Sequence, residues 1–176
     1  MDSAVFNGFF KGGALRVSMV LFLSTSVNKV DRKGRVSVPA GFRAALGKED
    51  FAGVVMMRAQ NHACLEGFAF STMQDIAQRL DQFDLFSASQ DDLATAVFGE
   101  AQQLAFDGEG RILLSEDLIA YAGIEGQAAF VGLGNKFQIW SPEAYAARRE
   151  QARHNVRDNK LTIPNRAGGQ GQGGAA

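Results

Sequence analysis

The sequence lacks most features of secreted, membrane-spanning or disulfide-stabilised proteins. Its 176 residues include one cysteine, Cys64, and three prolines. A single cysteine excludes an intramolecular disulfide and is typical of a reducing compartment. No uninterrupted apolar run approaches the ~20 residues of a membrane helix, and residues 1–18 show neither a clean apolar segment nor a clean cleavage site of a signal peptide. We therefore expect a cytoplasmic protein.

An excess of charge of either sign is also missing. The 18 basic and 19 acidic residues leave a net charge of −1, so any attraction to nucleic acid has to be local. Metal signatures are equally sparse, because His62 and Cys64 have no second ligand pair and His154 stands alone. The glycines of residues 131–136, VGLGNK, do not complete a phosphate-binding loop. We predict no metal, no cofactor, no small-molecule substrate and no enzymatic activity.

The chain does contain an internal repeat. Residues 30–47, VDRKGRVSVPAGFRAALG, and residues 106–123, FDGEGRILLSEDLIAYAG, share one layout at a constant offset of 76 positions. The matched positions include Asp31 with Asp107, Gly34 with Gly110, Arg35 with Arg111, and Gly47 with Gly123. The chain therefore holds two copies of one small unit.

Each copy reads as a tight turn, a short strand and a short helix. In Asp-x-x-Gly-Arg the Asp can accept hydrogen bonds from nearby backbone N–H groups, and the Gly supplies a positive φ. Pro39 suits the first helical position and Ser115 the N-cap. Gly47 and Gly123 stand where a helix is commonly terminated by a left-handed glycine.

The doubled Asp-x-x-Gly-Arg unit resembles the MraZ family, the two-repeat branch of the AbrB-like swapped-hairpin proteins. The first copy, VDRKGRVSVP, carries the most specific likeness, and NKFQIW at residues 135–140 matches the end of the second. The likeness covers residues 20–159. It implies an α+β fold in which two tandem swapped-hairpin β repeats form a pseudo-dimeric barrel, with connecting and C-terminal helices.

The resemblance also implies what the protein does. Family membership implies a homo-oligomeric ring that binds double-stranded DNA at tandem promoter repeats and associates with the nucleoid. It implies repression of the cluster of cell-division and cell-wall genes. The alternative from another class is an AbrB-like antitoxin or other protein-interaction module, against which stands the C-terminal third, a second folded repeat and not a disordered binding arm.

Composition along the chain suggests four segments. Residues 1–18 form an N-terminal extension, with Met19 as the natural start or, alternatively, a disordered arm ahead of the first strand. Residues 19–86 form the first repeat with its basic turn, and residues 87–160 the second repeat with the C-terminal helix. The Gly/Gln tail, 161–176, is expected to be disordered, because it has little to bury.

Periodicity predicts the remaining elements. Strands are expected at 20–29, 51–58, 64–68, 127–133 and 136–140. A helix beginning at Ser71 has an apolar face of Met73, Ile76, Leu80 and Phe83, and a second helix turns Leu93, Val97 and Ala101 inward. The last helix begins at Ser141-Pro142-Glu143 and reaches about Val156.

Charge distinguishes the two turns. Residues 28–43 carry five cations against Asp31, a balance of plus four, whereas residues 104–119 carry Arg111 against four carboxylates, a balance of minus three. Attraction to DNA rests on local Lys and Arg residues that replace counterions. Surface loops are often charged without binding anything, but only the first turn is suited to phosphate.

Within the first turn, four residues are candidates for DNA binding: Lys29, Arg32, Lys33 and Arg35. Arg32 and Lys33 lie at the tip of a two-stranded projection, which is the shape that enters a groove in β-ribbon readers. Lys29 is placed to hold a backbone phosphate. Arg35 could reach DNA or pair with Asp31, and the repetition of that pair as Arg111 with Asp107 favours a structural part.

Overall fold

The computed structural model describes residues 20–81 and 87–164. The predictions for the extension 1–18, for Phe83 and for the tail beyond residue 164 lie outside the described residues. The strands are β1 Thr25–Lys29, β2 Arg35–Ser37, β3 Gly53–Arg58, β4 Leu65–Phe68, β5 Gln102–Ala105, β6 Arg111–Leu113, β7 Gln127–Gly132 and β8 Phe137–Trp140. The helices are α1 Ala40–Leu46, α2 Phe70–Leu80, α3 Ala88–Ala94, α4 Glu116–Ala122 and α5 Pro142–Asp158, with a π-helical turn at Thr95–Gly99.

The predicted α+β class is confirmed, but the sheet is not a closed barrel. Six strands form one antiparallel sheet in the order β1-β7-β8-β4-β3-β5, and β2 and β6 form a separate two-stranded ribbon. The ribbon lies beside both edge strands, β1 and β5, without joining them into one continuous sheet. An isolated bridge between Val30, which follows β1, and Val36 of β2 links the ribbon to the end of β1.

The two repeats exchange their inner strands. β2 follows β1 after a tight turn, yet it pairs with β6 of the other repeat, with Val36 opposite Ile112. These two residues occupy matched positions of the repeat, so an approximate twofold axis passes between them. The same axis passes between Glu66 and Gln138 where β4 pairs with β8. The repeats therefore form a pseudo-dimer with one shared core.

Aromatic rings fill the centre of that core. Phe22 lies 5.2 Å from Phe42 and 5.0 Å from Phe137, edge to face, and Phe130 lies 6.3 Å from Phe42. Such T-shaped pairs add to the stability that burial alone provides. All four of these phenylalanines are buried.

The short helices α1 and α4 differ in their ends. The hydroxyl of Ser115 accepts a bond from the Leu118 N–H, which confirms the predicted N-cap of α4, and Gly123 ends it with φ of +59°. In α1, Pro39 is the N-cap and not the first helical residue, and Gly47 has φ of −65°. The left-handed ending predicted at Gly47 is wrong, because the chain continues there into a loop with right-handed backbone.

The predicted start of α2 at Ser71 is one residue too late. The helix begins at Phe70 after Ala69, which makes no side-chain cap. Instead, the Glu49 carboxylate accepts bonds from the Ser71 N–H and hydroxyl, both at 2.9 Å. The acid that satisfies this helix start thus comes from a loop 22 residues earlier, which local sequence cannot reveal.

The predicted inward face of the second connecting helix is partly right. Val97 packs against the cluster of Val55, Met57, Phe68 and Met73, whereas Leu93 is 43% exposed. The π-helical turn adds a residue to the helical repeat. Residues four apart therefore do not share a face across it.

The last helix runs two residues further than expected. Ser141 caps it by accepting from the Ala144 N–H, Pro142 stands in its first turn, and it ends at Asp158. Within residues 20–81 and 87–164, no helix is long and apolar enough to cross a membrane.

Candidate nucleic-acid interface

The first Asp-x-x-Gly-Arg turn is held together by one carboxylate. Asp31 Oδ1 accepts from the backbone N–H groups of Lys33 and Arg35, both at 2.9 Å. Its Oδ2 accepts from Arg35 Nε at 2.7 Å. Gly34 donates its N–H to the Asp31 carbonyl at 3.0 Å and holds φ of +85°. The predicted pairing of Arg35 with Asp31 is therefore present.

The second turn repeats this geometry bond for bond. Asp107 Oδ1 accepts from the Glu109 and Arg111 N–H groups at 2.9 Å, and Oδ2 accepts from Arg111 Nε at 2.7 Å. Gly110 donates to the Asp107 carbonyl at 3.0 Å and holds φ of +72°. The residues shared by both copies are those that build the turn.

Hydrogen bonds to the ionised form set the acidity of both carboxyl groups. The Arg35 N–H bond is the largest cause that lowers the pKa of Asp31. In the second turn the bonds from Arg111 lower the pKa of Asp107 to about 2, and the partner carboxylate raises the pKa of Arg111. Both carboxyl groups are therefore ionised at neutral pH, and neither Asp is available as an acid or base.

Each turn is anchored by the opposite repeat. The Gly34 carbonyl accepts from the Leu114 N–H at 2.9 Å, and the Gly110 carbonyl accepts from the Val38 N–H at 3.1 Å. A Cβ on Gly34 would collide with the Leu114 carbonyl oxygen. Glycine is required at this position both by its positive φ and by this close approach.

The tips of the two turns differ in chemistry. Arg32 and Lys33 are exposed at the tip of the first, and neither forms an ion pair with any described residue. The matched positions of the second are Gly108 and Glu109, and Glu109 pairs with Arg111 Nη1 at 2.7 Å. The first tip thus presents unsatisfied cations to solvent, whereas the second is neutralised internally.

Lys29 lies beside the first turn as the sequence predicted. It is the last residue of β1 and is exposed. Its neighbour Asn28 donates its side-chain N–H to the Ser37 carbonyl at 2.6 Å, which fixes the end of β1 against β2. Lys29, Arg32 and Lys33 are therefore mounted on well-fixed backbone.

Sequence reasoning misplaced Arg43, because it ignored the exchange between repeats. Arg43 follows the basic turn along the chain, but its Nη1 would lie 2.7 Å from a Cβ on Gly110, in the second turn. Its Nε donates to the Val38 carbonyl at 3.2 Å. Conversely, Glu116 of the second repeat lines a cleft of about 520 Å³ that opens beside Arg32 and Lys33.

The exchange reduces the contrast in charge between the turns without removing it. Around the first turn, four cations face two carboxylates: Lys29, Arg32, Lys33 and Arg35 against Asp31 and Glu116. Around the second, two cations face two carboxylates: Arg43 and Arg111 against Asp107 and Glu109. The first turn remains the more positive surface.

The residues that could suggest catalysis or metal binding lie in surroundings that favour a structural role. Burial raises the pKa of the Cys64 thiol to about 12, so it is protonated and a poor nucleophile. The His62 ring lies 5.5 Å from that of Trp140. Among the described residues, no three His, Cys, Asp or Glu side chains are grouped as metal ligands.

The exchanged strands and the paired Asp-x-x-Gly-Arg turns define a two-repeat protein of the AbrB-like swapped-hairpin class. The family model described as "MraZ protein, putative antitoxin-like" matches twice, over residues 21–95 and 97–163. The chain belongs to the MraZ family.

Curated relatives bear the name "Transcriptional regulator MraZ". The protein of Rickettsia rickettsii (strain Sheila Smith) is 44% identical over 147 residues, 84% of this chain and 99% of its own length. That of Rickettsia akari (strain Hartford) is 42% identical over 147 residues with the same coverage. That of Rickettsia bellii (strain OSU 85-389) is 41% identical over 148 residues, 84% of this chain and 99% of its own. These names support a role in transcription regulation and not in catalysis.

Proposed function

We propose that the protein is a sequence-specific DNA-binding repressor of the cell-division and cell-wall gene cluster. It acts at the nucleoid as a homo-oligomeric ring on tandem promoter repeats, and its basic first turn contacts the double helix. The name of its relatives, transcriptional regulator, supports this class of function.

One observation carries the proposal. The two turns have the same hydrogen bonds, yet only the first has exposed cations at its tip. The fold alone does not require Arg32 and Lys33, because Gly108 and Glu109 serve the same backbone. Cations that the fold does not need, held on a rigid projection, suit the phosphates and base edges of DNA.

The four cations take different parts. Arg32 and Lys33, at the tip, enter a groove of the DNA, where Arg can form bidentate hydrogen bonds to guanine or phosphate. Lys29 holds a flanking phosphate. Arg35 fixes the turn through Nε, and its side chain is 38% exposed, so its terminal N–H groups can reach phosphate.

Assembly raises affinity. One basic turn is a small contact and binds weakly by itself. Several turns on one ring, engaged on tandem sites, raise the avidity by roughly 10²–10⁴ without new contacts. Ring formation is thus part of the proposed mechanism of repression.

A gel-shift titration with the DNA upstream of the protein's own gene tests the proposal. We expect the double variant Arg32→Ala/Lys33→Ala to bind more weakly and with a flatter dependence on salt. Each lost phosphate contact lowers the slope of log affinity against log salt by about one per engaged subunit. The oligomer should remain intact, because the exposed tip buries little.

Glu109→Ala is the matched control, since it changes the same position in the other turn. It removes a negative charge and should leave affinity equal or slightly higher. Equal binding of parent and double variant at every salt concentration would place the DNA contact elsewhere. Failure of the parent to bind the upstream DNA at all would overturn the proposed repressor function.

A second candidate, an antitoxin, draws on the words "antitoxin-like" in the description of the matching family model. In that function the chain would hold a toxin partner, and the basic turn would serve autoregulation. A toxin gene beside this gene would favour the antitoxin, and neighbouring cell-wall genes favour the repressor.

A further inference from the structure

The C-terminal end of α5 projects from the body of the protein and carries an apolar surface. Ala144 and Tyr145, in the first turn of the helix, pack in a cluster with Trp140, whereas every residue from 153 to 164 is exposed. Three apolar side chains share this end: Val156, Leu161 and Ile163, which are 50%, 57% and 93% exposed. We call these three residues the tip of α5.

Backbone hydrogen bonds hold this tip in a defined shape. The Leu161 N–H bonds to the Val156 carbonyl at 3.0 Å and the Lys160 N–H to the Arg157 carbonyl at 3.2 Å, which is a Schellman cap. Lys160 holds φ of +48°, a conformation usually left to glycine. Such a cap favours contact between Leu161 and Val156. Large apolar groups ordered in solvent indicate an interaction site.

An apolar groove lies toward the other end of the sheet. It runs between α2 and the π-helical turn, over β3, and has a volume of about 280 Å³. Its apolar lining consists of Val55, Phe70, Met73, Ala77, Phe98 and Ala101. The groove is open to solvent at Ala77, which is half-buried on the α2 surface.

The charges around tip and groove are opposite. Residues 148–160 carry five cations and two carboxylates, whereas residues 70–81 and 87–101 carry five carboxylates and one cation, Arg79. Asp81 lies four residues after Ala77, so it extends the groove-lining face of α2. The exposed apolar residues Leu23, which precedes β1, and Val27, within β1, lie on the same segment as Lys29 and would offer the basic helix no such attraction.

We propose that the tip of α5 of one copy docks in the α2 groove of the next copy. The inference rests on the proposed ring and names the contact that builds it. α5 packs against β7, near one edge of the sheet, and the groove lies over β3, near the other. Two different surfaces therefore meet head to tail, and such contacts form rings when the rotation closes.

Two full-length variants break the contact from either side. Leu161→Asp/Ile163→Asp places charges on the exposed tip, and Ala77→Lys places a cation in the groove. We expect each variant alone to be a monomer by light scattering, with the far-ultraviolet circular dichroism of the parent. Ala147→Lys, an equal substitution at an exposed position early in α5, is the matched control and should keep the ring.

A mixture of the two variants gives the sharpest result. The tip variant retains an intact groove, and the groove variant retains an intact tip. One tip can therefore dock in one groove in each mixed pair, and we expect a 1:1 heterodimer. No heterodimer would overturn head-to-tail docking. A tip variant that keeps the ring would overturn this contact while the ring stands. A monomeric parent would overturn both, and DNA binding by the basic turn would still be measured separately in the gel shift.

Discussion

The two Asp-x-x-Gly-Arg turns share one geometry and differ in what they present to solvent. In both, one Asp carboxylate accepts two backbone N–H bonds and one Arg Nε bond, at matching distances. In the first, the two positions between Asp and Gly are Arg32 and Lys33, and in the second they are Gly108 and Glu109. Residues that build the turn are thus separable from residues at its tip.

That separation is possible because the repeats lie in one chain. In a dimer of identical chains both turns would carry the same tip. Here the second turn keeps the structural residues and pairs its tip carboxylate, Glu109, with Arg111. One turn can therefore specialise in binding while the other maintains the shared ribbon.

The largest expected effect comes from giving the first turn the tip of the second. Arg32→Gly/Lys33→Glu should keep the fold, since Asp107 supports that tip on the same backbone. We expect DNA affinity to fall by about a thousandfold at low salt, because each engaged subunit loses two cations and gains a carboxylate. Fluorescence anisotropy titrations measure this loss.

The reciprocal exchange, Gly108→Arg/Glu109→Lys, is its control and should raise affinity modestly. Parent-like affinity in the first exchange would show that the tip charges do not bind DNA.

The next effect contrasts the two turn glycines. Gly34→Ala meets the Leu114 carbonyl oxygen, which belongs to the backbone, whereas Gly110→Ala meets the Arg43 side chain, which can move. Both also force a side chain into positive φ. We expect losses in the free energy of unfolding of about 2–3 kcal/mol for Gly34→Ala and about 1–2 kcal/mol for Gly110→Ala.

Urea unfolding curves measure both glycine variants. Equal losses in the free energy of unfolding would mean that the close approach of the Leu114 carbonyl oxygen adds no cost at Gly34.

A smaller effect separates the two roles of Arg35, which are support of the turn and contact with DNA. Arg35→Ala and Arg111→Ala remove matching ion pairs of 2.7 Å to Asp31 and Asp107, and Arg111→Ala also removes the pair to the exposed Glu109, which contributes little. We expect both to lower Tm by the same few degrees, and only Arg35→Ala to weaken DNA binding, by about fivefold. If Arg111→Ala weakens binding equally, Arg35 acts only by supporting the turn.

The smallest effect appears at low pH. The folded-state pKa of Asp107 is about 2, against an ordinary value of 3.8, so the protein gains stability from this carboxylate above about pH 4 and loses it between about pH 4 and 2. Asp107→Asn should therefore lower stability at neutral pH and flatten the pH dependence of Tm in that range. Superimposable curves for parent and variant would contradict this assignment.

Much of the fold could be predicted because its signals are local. The repeat gave the two units, and Ser115, Ser141 and Pro142 marked helix starts that the structure contains. The predictions failed where residues distant in the sequence determine the local structure. Glu49 caps α2 from another loop, and the π-helical turn shifts Leu93 out to solvent.

The candidate site also combines features that local sequence predicts with features that depend on distant residues. The carboxylate bonds of Asp31 and Asp107 followed from the motif, whereas the positions of Arg43 and Glu116 did not. Both depend on which repeat supplies the helix beside each turn, and an antiparallel exchange of strands leaves no trace in a linear window of sequence.

The exchanged ribbon also determines when, during synthesis, the first half of the chain can fold. β2 finds its partner, β6, only when residues 111–113 have left the ribosome, and Gly34 needs the N–H of Leu114. Until then the nascent first half has an unpaired strand and an uncovered apolar face, which are features that invite aggregation. Because β1 pairs with β7 and β4 with β8, we expect the first half to remain incompletely folded through most of translation, and to acquire its final structure in a late step once β8 has emerged.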